Sequence, residues 1–218
     1  MGKKVISFSL WGNKPMYTFG ALENIRLAKS IYPDWRCRFY VDDSVENRII
    51  RSILLAGGDV FKISDNRGPF WGMFWRFMAN DDPDVDMFIS RDCDSRLSNR
   101  EKACVDEWIE SDKCFHTIHD NKGHISVPIL GGMWGAKKGC IKDITSKIVN
   151  WGRYEAKGID QFFLRNVIWD EVRDRTMNHS SLYHIWANSI PFPAYEDSEI
   201  KVNYVGEIYD ENNNSVIP

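Results

Sequence analysis

The stretch Asp86–Arg96 reads DMFISRDCDSR, and it decides how the chain around it can fold. Its first part, Asp86–Ser90, is mostly apolar, which is typical of a strand buried inside a sheet. Its second part places Asp92 and Asp94 two positions apart, where an extended backbone points both carboxylates to the same side. Because ligands of open α/β sheets bind beyond the carboxyl ends of the strands, this stretch predicts a binding site at the end of a central strand.

Strand-like and helix-like segments alternate in the chain before this stretch. Short runs of β-branched and aromatic residues predict strands, and apolar residues three and four apart predict helices. The predicted strands are Val5–Leu10, Arg38–Val41 and Asp59–Ile63, and the predicted helices are Thr18–Ile31, Val45–Ala56 and Phe70–Met78. Together with Asp86–Ser90, this order predicts an α/β fold with a Rossmann-like, mostly parallel central sheet flanked by helices.

The second half of the chain is less regular. Ser98 is predicted to cap an amphipathic helix, in which Glu101 completes a capping box. A strand is predicted near Ile129–Trp134, and helices are predicted near Ile141–Trp151 and Asp160–Val172. The last residues, 210–218, form a polar tail that we expect to be mobile.

Composition excludes several classes of function. The chain has 218 residues, with 28 Lys and Arg against 31 Asp and Glu, and its net charge of -3 does not suit general binding to nucleic acid. It lacks the run of about 18 apolar residues that a membrane span needs. The five cysteines are odd in number and never spaced as C-x-x-C, which argues against a disulfide framework and a thiolate zinc site. We therefore expect one soluble, cytoplasmic domain over residues 1–218, in a reducing compartment.

Asp92 and Asp94 are the first candidates for metal ligands. Carboxylate oxygens favour hard cations such as Mg²⁺ or Mn²⁺, which use few protein carboxylates and complete their shell with substrate phosphates and water. The alternative interpretation is an exposed acidic loop. The position directly after a buried strand favours the metal site.

Several segments together resemble the nucleotide-sugar glycosyltransferases with the GT-A fold. Asp86–Arg96 resembles their metal-binding segment, and Arg76 lies upstream, where related retaining families have a basic residue. Leu130–Gly135 resembles the small-residue strand beside the sugar pocket, and Asp160 with Gln161 resembles a D-Q-x-x-L helix start. The matches span most of the chain and look most similar to small glycosyltransferases of large algal viruses, whose products decorate capsid glycoproteins.

The resemblance implies an activity and a division of labour along the chain. A nucleotide-binding half would occupy about residues 1–97 and an acceptor-side half about residues 98–209, before the polar tail. The implied reaction is metal-dependent transfer of a sugar, with Mn²⁺ or Mg²⁺, from a UDP-sugar to a glycan or glycoprotein acceptor. Nucleic acid and membrane are not among the implied partners, and a virus-encoded enzyme would act in the host cytoplasm.

The resemblance also assigns residues to the donor and the metal. Those implied to hold the base and ribose are Ser9, Leu10, Trp11 and Gly12. Asp92 would face the ribose and the metal, and Asp94 would be the direct ligand of the cation. Either Arg76 or Arg91 would contact a phosphate or fix an aspartate. A third ligand near the C-terminus would be His179, with His184 as the other candidate.

The sugar pocket is implied to involve the small-residue strand and a neighbouring turn. Gly131 and Gly132 would line it, Trp134 would stack on the sugar, and His119 with Asp120 would contact it. The cluster of His116, His119 and His124 also permits a structural zinc site, but its surroundings are not those of a closed one.

Asp160, with Gln161 beside it, is the main candidate for the reacting centre. A carboxylate beneath the anomeric carbon would deprotonate an acceptor hydroxyl in an inverting mechanism, or stabilise an oxocarbenium-like centre. A structural alternative is a helix N-cap, since Gly158 and Ile159 precede a clear helix pattern. The sequence leaves inversion and retention open.

Two other classes of protein compete with this interpretation. A non-catalytic nucleotide-sugar or carbohydrate-binding domain would keep the same fold. An aspartyl-nucleophile phosphotransferase also uses D-x-D after a strand, but places it after the first strand, whereas here it follows the fourth.

Overall fold

In the computed structural model, residues 2–181, 186, 189–197 and 199–216 are described, and they contain one eight-stranded sheet. The strands are β1 (Lys3–Leu10), β2 (Arg36–Val41), β3 (Asp59–Lys62), β4 (Val85–Arg91), β5 (Phe115–His119), β6 (Trp134–Lys137), β7 (Thr176–Ser180) and β8 (Ser189–Ile190). The α-helices are α1 (Pro15–Ile31), α2 (Asn47–Ala56), α3 (Gly72–Trp75), α4 (Asn99–Glu110), α5 (Ile144–Trp151), α6 (Ile159–Phe163) and α7 (Trp169–Val172).

The sheet runs in the order β3-β2-β1-β4-β6-β5-β7-β8. The pairs β3-β2, β2-β1, β1-β4, β5-β7 and β7-β8 are parallel, while β6 runs antiparallel to both β4 and β5. The prediction of a mostly parallel α/β sheet is therefore confirmed. Because β1 and β4 lie at its centre, the loops that follow them open at the same edge.

Alternation along the central strands supplies a core to each face of the sheet. Val5 and Phe88 face a core shared with α3, α5 and α6, whereas Ile6 and Ile89 face a core shared with α1, α2 and α4. All four side chains are buried. Neighbouring residues of a strand point to opposite faces, so apolar residues at successive positions bury the strand on both sides.

Some predicted elements differ from the structure. The strand expected near Ile129–Trp134 is wrong: β6 begins only at Trp134, and the glycines before it lie in a turn. The helix expected over Phe70–Met78 is α-helical only in α3 and continues as a 3₁₀ helix over Arg76–Asp81. β7 was not predicted because TMNHS reads as polar, yet Asn178 is buried with its amide oxygen bonded to Thr117 Oγ1 at 3.0 Å.

The cysteine prediction is wrong for one pair. Cys114 and Cys140 form a disulfide, with their Cα atoms 5.6 Å apart. The other three cysteines are buried free thiols, which accounts for the odd number. The bridge joins the residue before β5 to the loop after β6, and these two strands are antiparallel neighbours. Pairing of the strands, rather than any sequence spacing, brings the two thiols together.

Mobility of the polar tail stays a prediction, but the described residues 210–216 are hydrogen-bonded. Arg96 Nη2 donates to the carbonyl of Asp210 at 3.0 Å, and Arg96 Nε donates to Asn213 Oδ1 at 2.8 Å. Asp210 Oδ1 also accepts from the backbone N–H of Asn214 at 2.8 Å. Polar composition here marks a hydrogen-bonded turn.

Within the part of the chain that the structure describes, every helix is too short or too polar to cross a bilayer.

Candidate functional site

Three charged side chains from distant parts of the chain meet beyond the carboxyl end of β4. Asp92 is the first residue after that strand, and Arg76 opens the 3₁₀ turn that follows α3. Asp160 lies in the first turn of α6, which begins at Ile159 after Gly158, whose φ is 82°. Asp160 is therefore inside the helix, and the N-cap alternative does not describe it.

Arg76 bridges the two carboxylates. One terminal nitrogen, Nη1, donates to Asp92 Oδ1, and the other, Nη2, donates to Asp160 Oδ2 at 3.0 Å. Its backbone is fixed by β1, because Ser9 Oγ accepts from Arg76 N at 2.9 Å and Ser7 Oγ donates to Arg76 O at 2.6 Å. A buried guanidinium is thus held rigidly between two acids.

The two glycines before β6 make room for these acids. A Cβ atom on Gly131 would lie 2.2 Å from Asp160 Oδ2 and 2.6 Å from Arg76 Nη2. A Cβ atom on Gly132 would lie 1.9 Å from Asp92 Oδ2. Any larger residue would displace the charged groups, so the small residues that resembled a sugar-pocket strand have a steric reason to be glycine here.

Burial raises the pKa of two carboxyl groups at this site, those of Asp160 and Asp94. Burial raises the pKa of Asp160 to about 6 against the opposing attraction of Arg76. Burial, and then repulsion from Asp92, raise the pKa of Asp94 to about 6. Asp160 Oδ1 is buried and has no hydrogen-bond partner among the described residues. A buried carboxylate oxygen without a protein partner marks Asp160 as a candidate functional group.

The donor set after β4 fits a hard dication only if a ligand completes it. Asp92 and Asp94 supply carboxylate oxygens of the kind that Mg²⁺ and Mn²⁺ prefer, and the Asp92 side chain is 45% exposed. Among the described residues, no group of three or more His, Cys, Asp or Glu side chains is arranged to hold a metal ion. Phosphate and water oxygens would have to supply the remaining ligands.

The end of β1 lies beside this site. Leu10 is buried in the core, whereas Trp11 is 37% exposed and meets the Trp75 ring edge-on at a centroid distance of 6.0 Å. Gly12 has a φ of 69° and donates its N–H to Ser44 Oγ at 2.7 Å, which turns the chain away from the sheet. Trp11 is thus an exposed aromatic surface at the same edge as the acids.

Two residues expected in the site lie in the core instead. Arg91 points to the opposite face of β4, where its Nε donates to the buried Glu101 Oε2 at 2.8 Å, so it does not reach a ligand phosphate. Ser98 does cap α4, but Glu101 pairs with Arg91 rather than closing a capping box. Trp134 is fully buried among the rings of Phe88 and other core aromatics, so it is not available to stack on a sugar.

The expected histidine contacts are also internal. His119 Nδ1 lies 2.8 Å from Asn178 Oδ1, and its Nε2 lies 3.1 Å from Val127 O. Asp120 is buried and accepts from Arg100 Nη2 at 2.6 Å. In this arrangement His119 and Asp120 hold protein groups rather than presenting themselves to a ligand.

His179 is engaged at both ring nitrogens. Its Nδ1 lies 2.8 Å from His116 Nε2, and its Nε2 lies 3.1 Å from Glu107 Oε2. The structure therefore does not bring His179 to the two aspartates as a free ligand. His184, the other candidate, lies outside the described residues. Gln161 is half-buried beside Asp160 in the first turn of α6.

Sequence reasoning missed Ser7, and it named Ser9 as a donor contact although its hydroxyl holds the backbone of Arg76. Ser7 and Ser9 are polar positions in a strand that is otherwise apolar, and their spacing of two places both hydroxyls on one face. Both bond the backbone of Arg76. Two serines on one face of a buried strand were the available signal that something polar docks there.

The order of the sheet is that of a GT-A-like α/β fold. No protein-family model matches the sequence, and a search of curated proteins finds no match. The fold itself has solved counterparts.

One is 4-diphosphocytidyl-2C-methyl-D-erythritol synthase from Anaerococcus prevotii, at 10% identity over 86% of this chain and 93% of its own, with a TM-score of 0.53. Another is Mycobacterium tuberculosis glucosyl-3-phosphoglycerate synthase with Mn²⁺, UDP-glucose and phosphoglyceric acid, at 11% identity over 90% of this chain and 72% of its own, with a TM-score of 0.52. An active-site mutant of LgtC aligns at 13% identity over 82% of this chain and 73% of its own, with a TM-score of 0.47. At such identities the likeness to the first two, whose TM-scores exceed 0.5, establishes the fold alone.

Proposed function

We propose that this protein is a glycosyltransferase that moves a sugar from a nucleoside-diphosphate sugar, in the first instance a UDP-sugar, to a glycan or glycoprotein acceptor. The observation that carries the proposal is the group formed by Arg76, Asp92 and Asp160 beneath two glycines at the carboxyl edge of the sheet. The solved enzyme of this fold with Mn²⁺ and UDP-glucose supports the choice of donor. The motif resemblance to algal-virus enzymes stays a prediction.

The donor would lie across the ends of β1 and β4. Trp11 offers its exposed ring to the base, and Ser9 keeps Arg76 in place from below. Asp92 and Asp94 would hold Mn²⁺ or Mg²⁺, which supplies positive charge to the diphosphate as it departs. Arg76 adds a second, permanent positive charge close to the same group. The burial of a basic residue beside the acidic loop supports this arrangement.

Asp160 is the group that we assign to the reacting sugar. Its Oδ2 is held by Arg76, while its Oδ1 has no partner among the described residues. One fixed and one free oxygen suit a carboxylate that orients a hydroxyl, accepts a proton or stabilises positive charge at the anomeric carbon. Gln161 follows it on α6 and would contact the donor or acceptor. The arrangement serves either inversion or retention.

Replacing Asp94 with alanine tests the donor site. We expect wild-type protein to bind UDP in the presence of Mn²⁺, and Asp94→Ala to bind it about tenfold or more weakly, because one of two carboxylate ligands is lost. Isothermal titration with Mn²⁺ and again with a chelator measures this. Asp106→Ala, at an exposed carboxylate on α4 that pairs with Lys102, is the matched control.

Equal UDP affinity in Asp94→Ala and wild type would remove Asp94 from the metal role. Binding that is unaffected by chelator would remove the metal from donor binding. Turnover of bound UDP-sugar with an acceptor separates the enzyme from a non-catalytic binding domain of the same fold. Since one solved counterpart is a diphosphocytidyl enzyme, CTP belongs in the same titration, and a preference for CTP would replace the proposed donor.

A further inference from the structure

The C-terminal segment Asn203–Val216 packs directly against the acidic loop that follows β4. The backbone N–H of Tyr209 donates to the carbonyl of Asp94 at 2.8 Å, so the segment bonds the main chain of a proposed metal ligand. We propose that this segment, called here the C-terminal clamp, positions the acidic loop for metal and donor binding. The part of this inference that concerns metal and donor binding rests on the proposed function; the part that concerns the order of the loop does not.

Arg96 ties the two segments together. Its side chain is buried, and its Nη1 donates to the carbonyl of Ser95 in the loop at 3.0 Å. From the same guanidinium, Nη2 donates to Asp210 O at 3.0 Å and Nε donates to Asn213 Oδ1 at 2.8 Å. The guanidinium also lies over the ring of Tyr209, 5.2 Å from its centroid. One rigid cation therefore bonds the loop and the clamp at once.

Glu207 gives the clamp its own internal order. Its carboxylate is buried and accepts four hydrogen bonds from within the segment. The donors are Asn203 N at 2.7 Å, Asn203 Nδ2 at 2.7 Å, Tyr209 Oη at 2.8 Å and Ser215 Oγ at 2.6 Å. A charged acceptor satisfied by four donors closes the two ends of the segment into one unit. Tyr209 is thereby fixed where its N–H meets the loop.

The opposite side of the loop rests on α1. Asn24 Nδ2 donates to Ser95 O at 2.9 Å, and Asn24 Oδ1 accepts from Leu97 N at 3.0 Å. A Cβ atom on Gly20 would lie 1.9 Å from Cys93 O, so the helix touches the loop backbone with no side chain between them. The acidic loop is therefore held between a helix on one side and the clamp on the other. These contacts reach the loop backbone and Arg96, which makes the clamp residues positioning residues.

Because the clamp already orders the acidic loop, metal and donor binding has less of the loop to order. Two carboxylates meet a small cation productively only within narrow limits of distance and angle, and supporting hydrogen bonds maintain those limits. Loosening the clamp should keep both carboxylates in the protein but let Asp92 and Asp94 adopt a wider range of positions. The expected effect is weaker metal-dependent binding, with metal-independent binding unchanged.

Two variants loosen the clamp without touching the acids. Asn213→Gly removes the acceptor of Arg96 Nε, and glycine tolerates the φ of 62° that Asn213 adopts. Glu207→Gln replaces one of two accepting oxygens with a donor. Lys201→Ala is the matched control, because it breaks only the exposed ion pair with Asp197 just outside the clamp.

Hydrogen exchange of the ligand-free protein tests the structural half of the proposal. We expect amides of the peptide covering residues 92–97 to exchange about tenfold faster in Asn213→Gly and in Glu207→Gln, and at the wild-type rate in Lys201→Ala. Thermal unfolding identifies a variant that does not fold, and Asn213→Gly then carries the test, since its substitution lies at a turn. If the amides of residues 92–97 exchange at the wild-type rate in folded variants, the proposal that the clamp holds the acidic loop is overturned.

Titration of the same variants with UDP tests the positioning role. With Mn²⁺ we expect an affinity about tenfold lower than wild type, and with chelator no change. If wild type binds UDP with Mn²⁺ and the clamp variants bind equally well, positioning by the clamp is overturned while the proposed function stands. If wild type itself does not bind, the proposed function fails with the positioning role that rests on it, and exchange alone decides whether the clamp holds the loop.

Discussion

Replacing Asp160 with asparagine is expected to slow sugar transfer by about a hundredfold or more, while UDP-sugar binding stays within a few-fold of wild type. Asparagine keeps the size of the side chain and an oxygen for Arg76, but it can neither accept a proton nor carry the charge that the reacting centre needs. Initial rates at saturating donor, together with donor titration, separate the two effects. Asp170→Asn, at an exposed acid on α7, is the control and should transfer normally.

The pH profile gives an independent check on the same residue. Because burial raises the pKa of Asp160 to about 6, the carboxylate is protonated in a growing fraction of molecules as the pH falls below that value. At saturating donor and Mn²⁺, kcat of wild type should therefore fall about tenfold for each unit of pH below 6, whereas kcat/KM should fall more steeply, because the pKa of Asp94 is also raised to about 6 and Asp94 serves donor binding. Turnover of Asp160→Asn within threefold of wild type would show that Asp160 has no part in the chemistry.

Replacing Arg91 with methionine is expected to destabilise the fold by about 3–5 kcal/mol, a large fraction of the free energy of unfolding of an ordinary domain. The side chains of Arg91 and Glu101 are each only 2% exposed and pair at 2.8 Å. Removing the cation therefore leaves the Glu101 carboxylate of α4 buried without its charged partner. The hydroxyl of Tyr32, 3.2 Å from Glu101 Oε1, does not replace the lost charge. Urea unfolding at pH 7 measures the change.

A double variant distinguishes the buried charge from lost packing. Arg91→Met with Glu101→Leu should recover most of the stability, since apolar residues of similar volume often replace a buried ion pair without penalty. If Arg91→Met alone lowers the free energy of unfolding by less than about 1 kcal/mol, Arg91 is not held by Glu101 in solution. Arg91 would then again be free to contact a ligand.

The sequence was informative where chemistry depends on position along one strand. The position of Asp92 after β4 could be predicted because an apolar run followed by polar residues is typical of the end of a buried strand. Ligands bind at the carboxyl edge of such a sheet, so the same pattern predicted a site there. Arg76 and Asp160 were identified separately, by resemblance. Their mutual contact depends on how α3 and α6 pack on the sheet, which local patterns do not encode.

The sequence-based predictions failed for side chains whose hydrogen-bond partners lie in distant segments of the chain. Arg91 and Asp92 are neighbours in an extended chain, so they point to opposite faces, and only one of them can reach the site. The resemblance assigned a phosphate contact to Arg91, which the structure places at the end of β4 with its buried partner, Glu101, on α4. His179 likewise looked free, although β5 and α4 supply partners for both its ring nitrogens.

The disulfide between Cys114 and Cys140 makes a covalent ring of the chain between them. Lys122 is exposed in that ring, so trypsin can cut there. A cut at this point would give a two-chain protein, with Asp92 on one piece and Asp160 on the other, still joined by the bridge and by the sheet. Such a nicked molecule would migrate as one species until a reductant is added, and the two halves of the proposed site would separate only on unfolding.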